Sequence, residues 1–246
     1  MPILRPGALA LWCWLAAGCS EIGAPAGEGP DAGDGAADAS TTASDAAVAP
    51  VTIVLGETGD ADVGGVTEDT TLDAANPTLN YGGDVTVRAD ADPSRVALLR
   101  FDVSAVPSGA TVSAADLAIT TADDALEQGS LELFEVTETW AEGNEVGVAA
   151  AANWTQRTGD STWTAAGAGS GSRAATAMSE IVPAAVATRY VLAIPTDLAQ
   201  RWVSDASSNH GVILVPIDAA THGVDFISSE SANASARPTL TIIYTP

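Results

Sequence analysis

Nine short apolar segments punctuate the chain between residues 51 and 246, each bounded by Gly, Pro, Asp or Ser. They fall at 52–55, 85–89, 96–103, 115–121, 130–136, 190–194, 211–217, 224–228 and 239–245. In the last, TLTIIYT, Leu240, Ile242 and Tyr244 alternate with Thr239, Thr241 and Ile243, the period of two of a half-buried strand. VILVPI at 212–217 is apolar on both faces, as a central strand requires, with Pro216 towards its end. Only TDLAQRWV at 196–203 reads as a helix, with Thr196 as cap and Leu198 and Trp202 on one face. So many short strands with so little helix predict an all-β fold, a single jelly-roll-like β-sandwich. A chain of this length can bury about 70% of its unfolded surface without staples. Residues 141–188 are rich in Ala, Gly, Ser and Thr and predict long loops carrying Trp154 and Trp163.

The first fifty residues have a different character. After Arg5 comes an apolar run from residue 8 to 17, too short for a bilayer, which needs about 20 residues, but of signal-peptide length. It ends in Leu15-Ala16-Ala17-Gly18-Cys19, which resembles the lipobox of bacterial lipoproteins. That resemblance implies a signal peptide over 1–18, a lipid on Cys19 and attachment to the membrane. Ser20 in place of Asp implies the outer membrane, extracytoplasmic on its periplasmic face or at the cell surface. Residues 20–50 contain only Ile22 and Val48 as sizeable apolar residues, too few to offset ordering entropy. With Cys19 they form a disordered tether, 19–50, with a reach of roughly 30 Å. Cys13 falls in the leader and Cys19 is the anchor, so the folded part, 51–246, has no disulfide, thiolate metal site or cysteine nucleophile.

Charge narrows the ligands. The chain has nine arginines and no lysine against 32 acidic residues, a formal net charge of −23. Without Arg5 the balance is eight against 32, or −24. Nucleic acid is excluded, because binding it depends on basic side chains that displace counterions. Anionic polysaccharide is disfavoured unless a cation mediates.

SRVALLRFDVSAVPSGATVSAADLAI at 94–119 resembles the signature of the DNRLRE domain family, secreted β-sandwich modules. NPTLNYGGDVTVRAD (76–90), LELFEVTETWAEG (131–143), NWTQRTGDSTW, QRWVSDASSNHGVILVP and DFISSESANASARPTLTIIY are similar to its other landmarks, in order. The likeness covers residues 51–246. It implies a non-catalytic role in binding carbohydrate or another cell-surface ligand. The alternative is a structural or protein-interaction module of the envelope, with a polysaccharide lyase or hydrolase third. No arrangement among the acids singles out the carboxylate pair that glycoside hydrolysis needs.

Few residues stand out as ligands. Tyr81, Trp154 and Trp163 lie in polar, loop-like segments and are the candidates for stacking on sugar rings. Trp140 and Trp202 are assigned to the core. His210 and His222 make too small a set for zinc, and GSGSRA at 169–174 lacks the strand–helix context of a nucleotide-binding loop. No metal site and no cofactor are expected, although the doublets Asp60/Asp62, Asp90/Asp92 and Asp123/Asp124 would suit calcium. A monomer is expected. Arg100 interrupts the apolar run ALLRFDVSA and shares a face with Val96, Leu98 and Asp102. A buried guanidinium needs a carboxylate. Asp102 is nearest in sequence, and the family resemblance favours Glu230, so a structural ion pair Arg100–Glu230 is expected.

Overall fold

The computed structural model describes residues 48–58, 65–126, 129–144, 146–147, 151–217 and 223–246. The leader, Cys19, the tether to residue 47, Asp60, Asp62 and His222 lie outside the described residues, as does the side chain of Asp124.

The fold is all-β, one curled antiparallel sheet wrapped over a core, with a single α-helix among the described residues. Its strands begin with β1 (Val51–Leu55), β2 (Thr67–Asp73), β3 (Thr86–Ala91), β4 (Ser94–Phe101), β5 (Thr111–Leu126) and β6 (Leu131–Glu135). A two-stranded ribbon, β7 (Gln156–Thr158) and β8 (Ser161–Thr162), stands apart from the main sheet. Then follow β9 (Ser179–Ile181), β10 (Arg189–Ala193), the helix α1 (Thr196–Ser204), β11 (Val212–Pro216), β12 (Val224–Ile227) and β13 (Thr239–Thr245). The main order is β1-β13-β5-β12-β3-β4-β11-β6-β9, with β10 added to β5 and β2 to β4. β5 is sixteen residues long, which lets it pair β13 along its first half, β10 in its middle and β12 near its end.

Alternation explains the main core. Leu240, Ile242 and Tyr244 of β13 point inward beside Leu117 and Ile119 of β5, Leu99 and Phe101 of β4, and Val212 and Leu214 of β11. Leu198 and Trp202 of α1 close one side of this cluster. Full burial of such a side chain contributes about 1.5–3 kcal/mol, and truncation to Ala leaves a cavity costing about 2–5 kcal/mol. Thr196 does not cap α1. Pro195 holds the cap position and no side chain caps it, while Asp197 in the first turn suits the positive end of the helix dipole.

β4 and β11 are apolar on both faces because a second cluster lies on their other side. Val96, Leu98 and Ile213 meet Leu72, Phe134, Val136 and Trp140 there. The cover comes from the region expected as long loops. Trp163 (4% exposed) and Ala152 pack onto this face, Trp154 leans on it, and the β7–β8 ribbon lies between the two tryptophans in sequence. Small residues in this stretch allow close approach: Gly167 (φ +67°) sits against the Trp154 ring, and its N–H donates to the Trp154 carbonyl at 2.6 Å.

Four strands escape the apolar pattern: β2, β7, β8 and β9. β2, TEDTTLD, has one large apolar residue, yet six of its seven residues are buried. Among the described residues, no helix is long and apolar enough to cross a membrane.

Candidate functional site

A cleft of about 560 Å³ lies where β2 and β4 meet the segment leading into β11. Ligand clefts occupy the range of about 300–1,000 Å³. Arg100 forms one wall. The β2–β4 register sets Glu68 directly opposite it, and the Arg100 Nε donates to Glu68 Oε2 at 2.5 Å. The guanidinium lies over the Trp140 ring, 4.9 Å from its centroid, so it is held by a carboxylate at its edge and a π-face beneath.

The opposite wall is Asn209 and His210. Gly211 follows them at φ +77°, and a side chain there would collide with the Leu99 carbonyl. Only glycine lets the chain turn this tightly into β11. Asn209 Nδ2 donates to the Phe101 carbonyl at 2.8 Å, and the Trp140 Nε1–H donates to the His210 carbonyl at 2.8 Å. Burial first, then the charges of Arg100 and Arg157, hold His210 below its ordinary pKa. Its ring is therefore neutral near pH 7, with one donor and one acceptor nitrogen. Thr139 Oγ1 lies 3.3 Å from its Nδ1. Ser207, Asp102, Phe101 and Val66 complete a lining of mixed donors, acceptors and apolar floor.

The three aromatic candidates part company. Trp163 belongs to the second apolar cluster, with its Nε1–H donating to the Asn153 carbonyl at 2.9 Å. A buried indole presents no face to a sugar, so the expected stacking role for Trp163 is corrected to a core role. Trp154 is half-buried against the same cluster and against Gly167, so the two tryptophans form no shared exposed platform. Tyr81 alone lines an open pocket. It is a second, smaller site of about 180 Å³ with Asp73, Asn76, Asp84, Arg88 and Arg95. The Tyr81 hydroxyl points at Asp73 Oδ2, 3.4 Å away.

The expected partner of Arg100 is also corrected. Arg100 is paired, but with Glu68 on the adjacent strand rather than with Glu230. Glu230 lies after β12, where Ser229 Oγ donates to its Oε1 at 2.8 Å. A partner directly across a strand pair needs no long reach, and β2 is one of the strands without an apolar signature. Asp102 turns away, accepting hydrogen bonds from the Ser104 backbone N–H at 2.8 Å and its Oγ at 3.0 Å. Trp140 and Trp202 are core residues, 1% and 3% exposed.

Among the described residues, the acidic doublets assemble no cation site. Asp90 faces Arg95 at 3.3 Å and accepts the N–H of Asp92 within the β3–β4 hairpin, and Asp123 is exposed. Among the described residues, the carboxylates that converge closely enough to share a cation are Asp69, Glu142 and Glu230. None of them belongs to those three Asp doublets. Asp69 is in a strand with too little apolar content to recognise, and the other two join it only through tertiary folding.

No curated protein matches the sequence. The family model for carbohydrate-binding module family 96 matches residues 65–244, a span that includes every residue lining the two pockets, and the chain belongs to that family.

Proposed function

We propose that the domain binds a neutral polysaccharide without cleaving it, in the 560 Å³ cleft beside Arg100. The observation that carries this reading is the cleft itself, which lies within the span of the carbohydrate-binding family and offers hydrogen-bonding groups over an apolar floor. Sugars present hydroxyls at their edges and C–H groups on their faces, and this lining answers both. Arg100 is neutralised by Glu68, Asp102 adds a negative charge, and the chain as a whole stands at −23. A neutral glycan fits this balance better than a polyanion.

The half-exposed ring of Tyr81 favours a second reading, a single-sugar subsite in the 180 Å³ pocket. Affinity electrophoresis of the full chain against neutral and anionic polysaccharides separates the two. Ala206→Trp, on an exposed turn at the cleft, is expected to weaken binding at least tenfold, with Tyr81→Ala near wild type. The opposite pattern moves the site to Tyr81. No binding to any polysaccharide by the wild type contradicts both readings.

We further propose that the domain works outside the cytoplasm, held to the outer membrane by a lipid on Cys19 through the 19–50 tether. The lipobox-like sequence supports this. Cys19→Ser is expected to move the protein from the membrane fraction to the soluble fraction. Retention of that variant in the membrane would contradict lipid anchoring.

A further inference from the structure

Three carboxylates from distant parts of the sequence meet beside β2. Asp69 comes from the strand, Glu142 from the segment after Trp140, and Glu230 from the turn after β12. One oxygen from each lies within 4.8 Å of the others.

Each carboxylate is positioned by its own set of bonds. Asp69 Oδ2 accepts the Ser229 backbone N–H at 2.8 Å. Glu142 Oε1 accepts the Asp69 backbone N–H at 2.5 Å. The Glu142 carbonyl accepts from Asn80 Nδ2, and Asn80, wholly buried, also donates to the Ala152 carbonyl at 2.8 Å. Gly143 (φ +76°) permits this approach, since a Cβ there would press on Asn80 Oδ1 at 2.5 Å. Glu230 Oε1 accepts from Ser229 Oγ, and the Glu230 N–H donates to Ser228 Oγ at 3.2 Å.

Two oxygens are left over. Among the described residues, no N–H or hydroxyl donates to the buried Asp69 Oδ1 or Glu230 Oε2, and Asp69 as a whole is 1% exposed. The two acid side chains lie within hydrogen-bonding reach of each other. Among the described residues, no arginine forms an ion pair with any of the three acids. Burying a carboxylate unpaired is costly, and grouping three adds mutual repulsion. Either a cation or bound protons must relieve the cluster. The scaffold around it favours a cation: two carboxylates have an oxygen fixed by neighbouring donors and a second oxygen left without one.

We propose that Asp69, Glu142 and Glu230 bind a calcium ion that ties β2 to the 141–144 segment and the 228–230 turn. Calcium takes six to eight oxygens at about 2.3–2.6 Å, so ligands on opposite sides of one ion are about 4.6–5.2 Å apart. Three oxygens within 4.8 Å of one another share a point no more than about 2.8 Å from each, close to calcium's bond lengths. Waters and nearby carbonyls would complete the shell. Magnesium, with shorter bonds and a preference for keeping its waters, suits a set of three fixed carboxylates less well.

Calorimetric titration of the EDTA-treated full chain with calcium chloride at pH 7.5 tests this. One ion per chain is expected, with a higher melting temperature in calcium than in EDTA and a weaker response to magnesium. Glu142→Gln and, separately, Glu230→Gln are expected to lower calcium affinity at least tenfold while melting in EDTA no lower than wild type. Absence of calcium binding by the wild type would overturn the proposal and leave shared protons as the relief. Wild-type affinity in both folded variants would also overturn it, because the ion would then lie elsewhere. If neither variant folds, the wild-type titration, with its stoichiometry and thermal shift, still decides.

Discussion

The two ends of β2 carry buried aspartates four residues apart on the same face, and their surroundings are opposite. Asp73 (3% exposed) receives the Ala75 N–H at 2.8 Å, Asn76 Nδ2 at 3.0 Å and Arg95 Nε at 3.2 Å. Burial alone would raise its pKa, but these donors and the arginine charge outweigh burial and hold it below the usual value. Asp69 (1% exposed) has one backbone donor and faces Glu142 and Glu230. Burial first, then the charge of Glu230, pushes its pKa well above the usual value. Similar surface exposure thus goes with opposite electrostatics. Asp73 borders the smaller pocket and has an arginine and donors beside it, whereas Asp69 lies deeper and faces two acids. The Asp73 end is complete with the chain's own donors. The Asp69 end is complete only with something added.

The largest effect should come from breaking the complete end. Arg95 also faces Asp90 at 3.3 Å, so Arg95→Met leaves two buried carboxylates unpaired. A loss on the order of 3 kcal/mol is expected in urea unfolding. A loss below 0.5 kcal/mol would show that the pairing adds nothing.

Matched substitutions should then move in opposite directions. In EDTA at pH 8, Asp73→Asn is expected to destabilise by about 1–2 kcal/mol through loss of charge-assisted hydrogen bonds. Asp69→Asn under the same conditions is expected to raise the melting temperature, because it removes a repelling charge. Both changes in the same direction would end the contrast.

The ends also differ in pH dependence. Asp73 has a depressed folded pKa, so its stabilisation is present above the ordinary aspartate value and lost as pH falls through the folded one. Glu142 behaves in the reverse way. Burial, then the charges of Glu230, Asp69 and Glu68, raise it to about 8 despite the Asp69 N–H it accepts. The folded protein then holds a proton that the unfolded chain releases near 4.5. Metal-free stability should accordingly fall as pH rises from about 5 to about 8, and calcium should restore more at pH 8 than at pH 6. Glu142→Gln should flatten this slope, and an unchanged slope would remove Glu142 from the account. The smallest effect is expected for Tyr81→Phe, which deletes the 3.4 Å contact with Asp73. A change under about 1 kcal/mol should follow, with calcium binding untouched.

Much of the fold was legible because burial and apolar content coincide. β13 and β11 announce themselves by alternation and by a doubly apolar run, and Trp140 and Trp202 fall into the core as expected. β2 is the counterexample. Apart from Leu72, its buried residues are Thr and Asp, covered by chain that arrives from elsewhere, and no local pattern records that. The partner of Arg100 was hidden for the same reason, since reading Glu68 correctly requires knowing that β2 lies beside β4. Trp154 and Trp163 sit among polar and small residues in sequence, and only the second apolar face of β4 and β11 explains their burial. The acid cluster could not be found from spacing, because 73 and 88 residues separate its members.

A crystal structure of the protein grown with calcium tests the central contrast most directly. One ion is expected, bonded at about 2.3–2.6 Å to oxygens of Asp69, Glu142 and Glu230, with no ion at Asp73. Calcium-grown crystals without an ion there, and with the carboxyls of Asp69 and Glu230 hydrogen-bonded to each other, would contradict it.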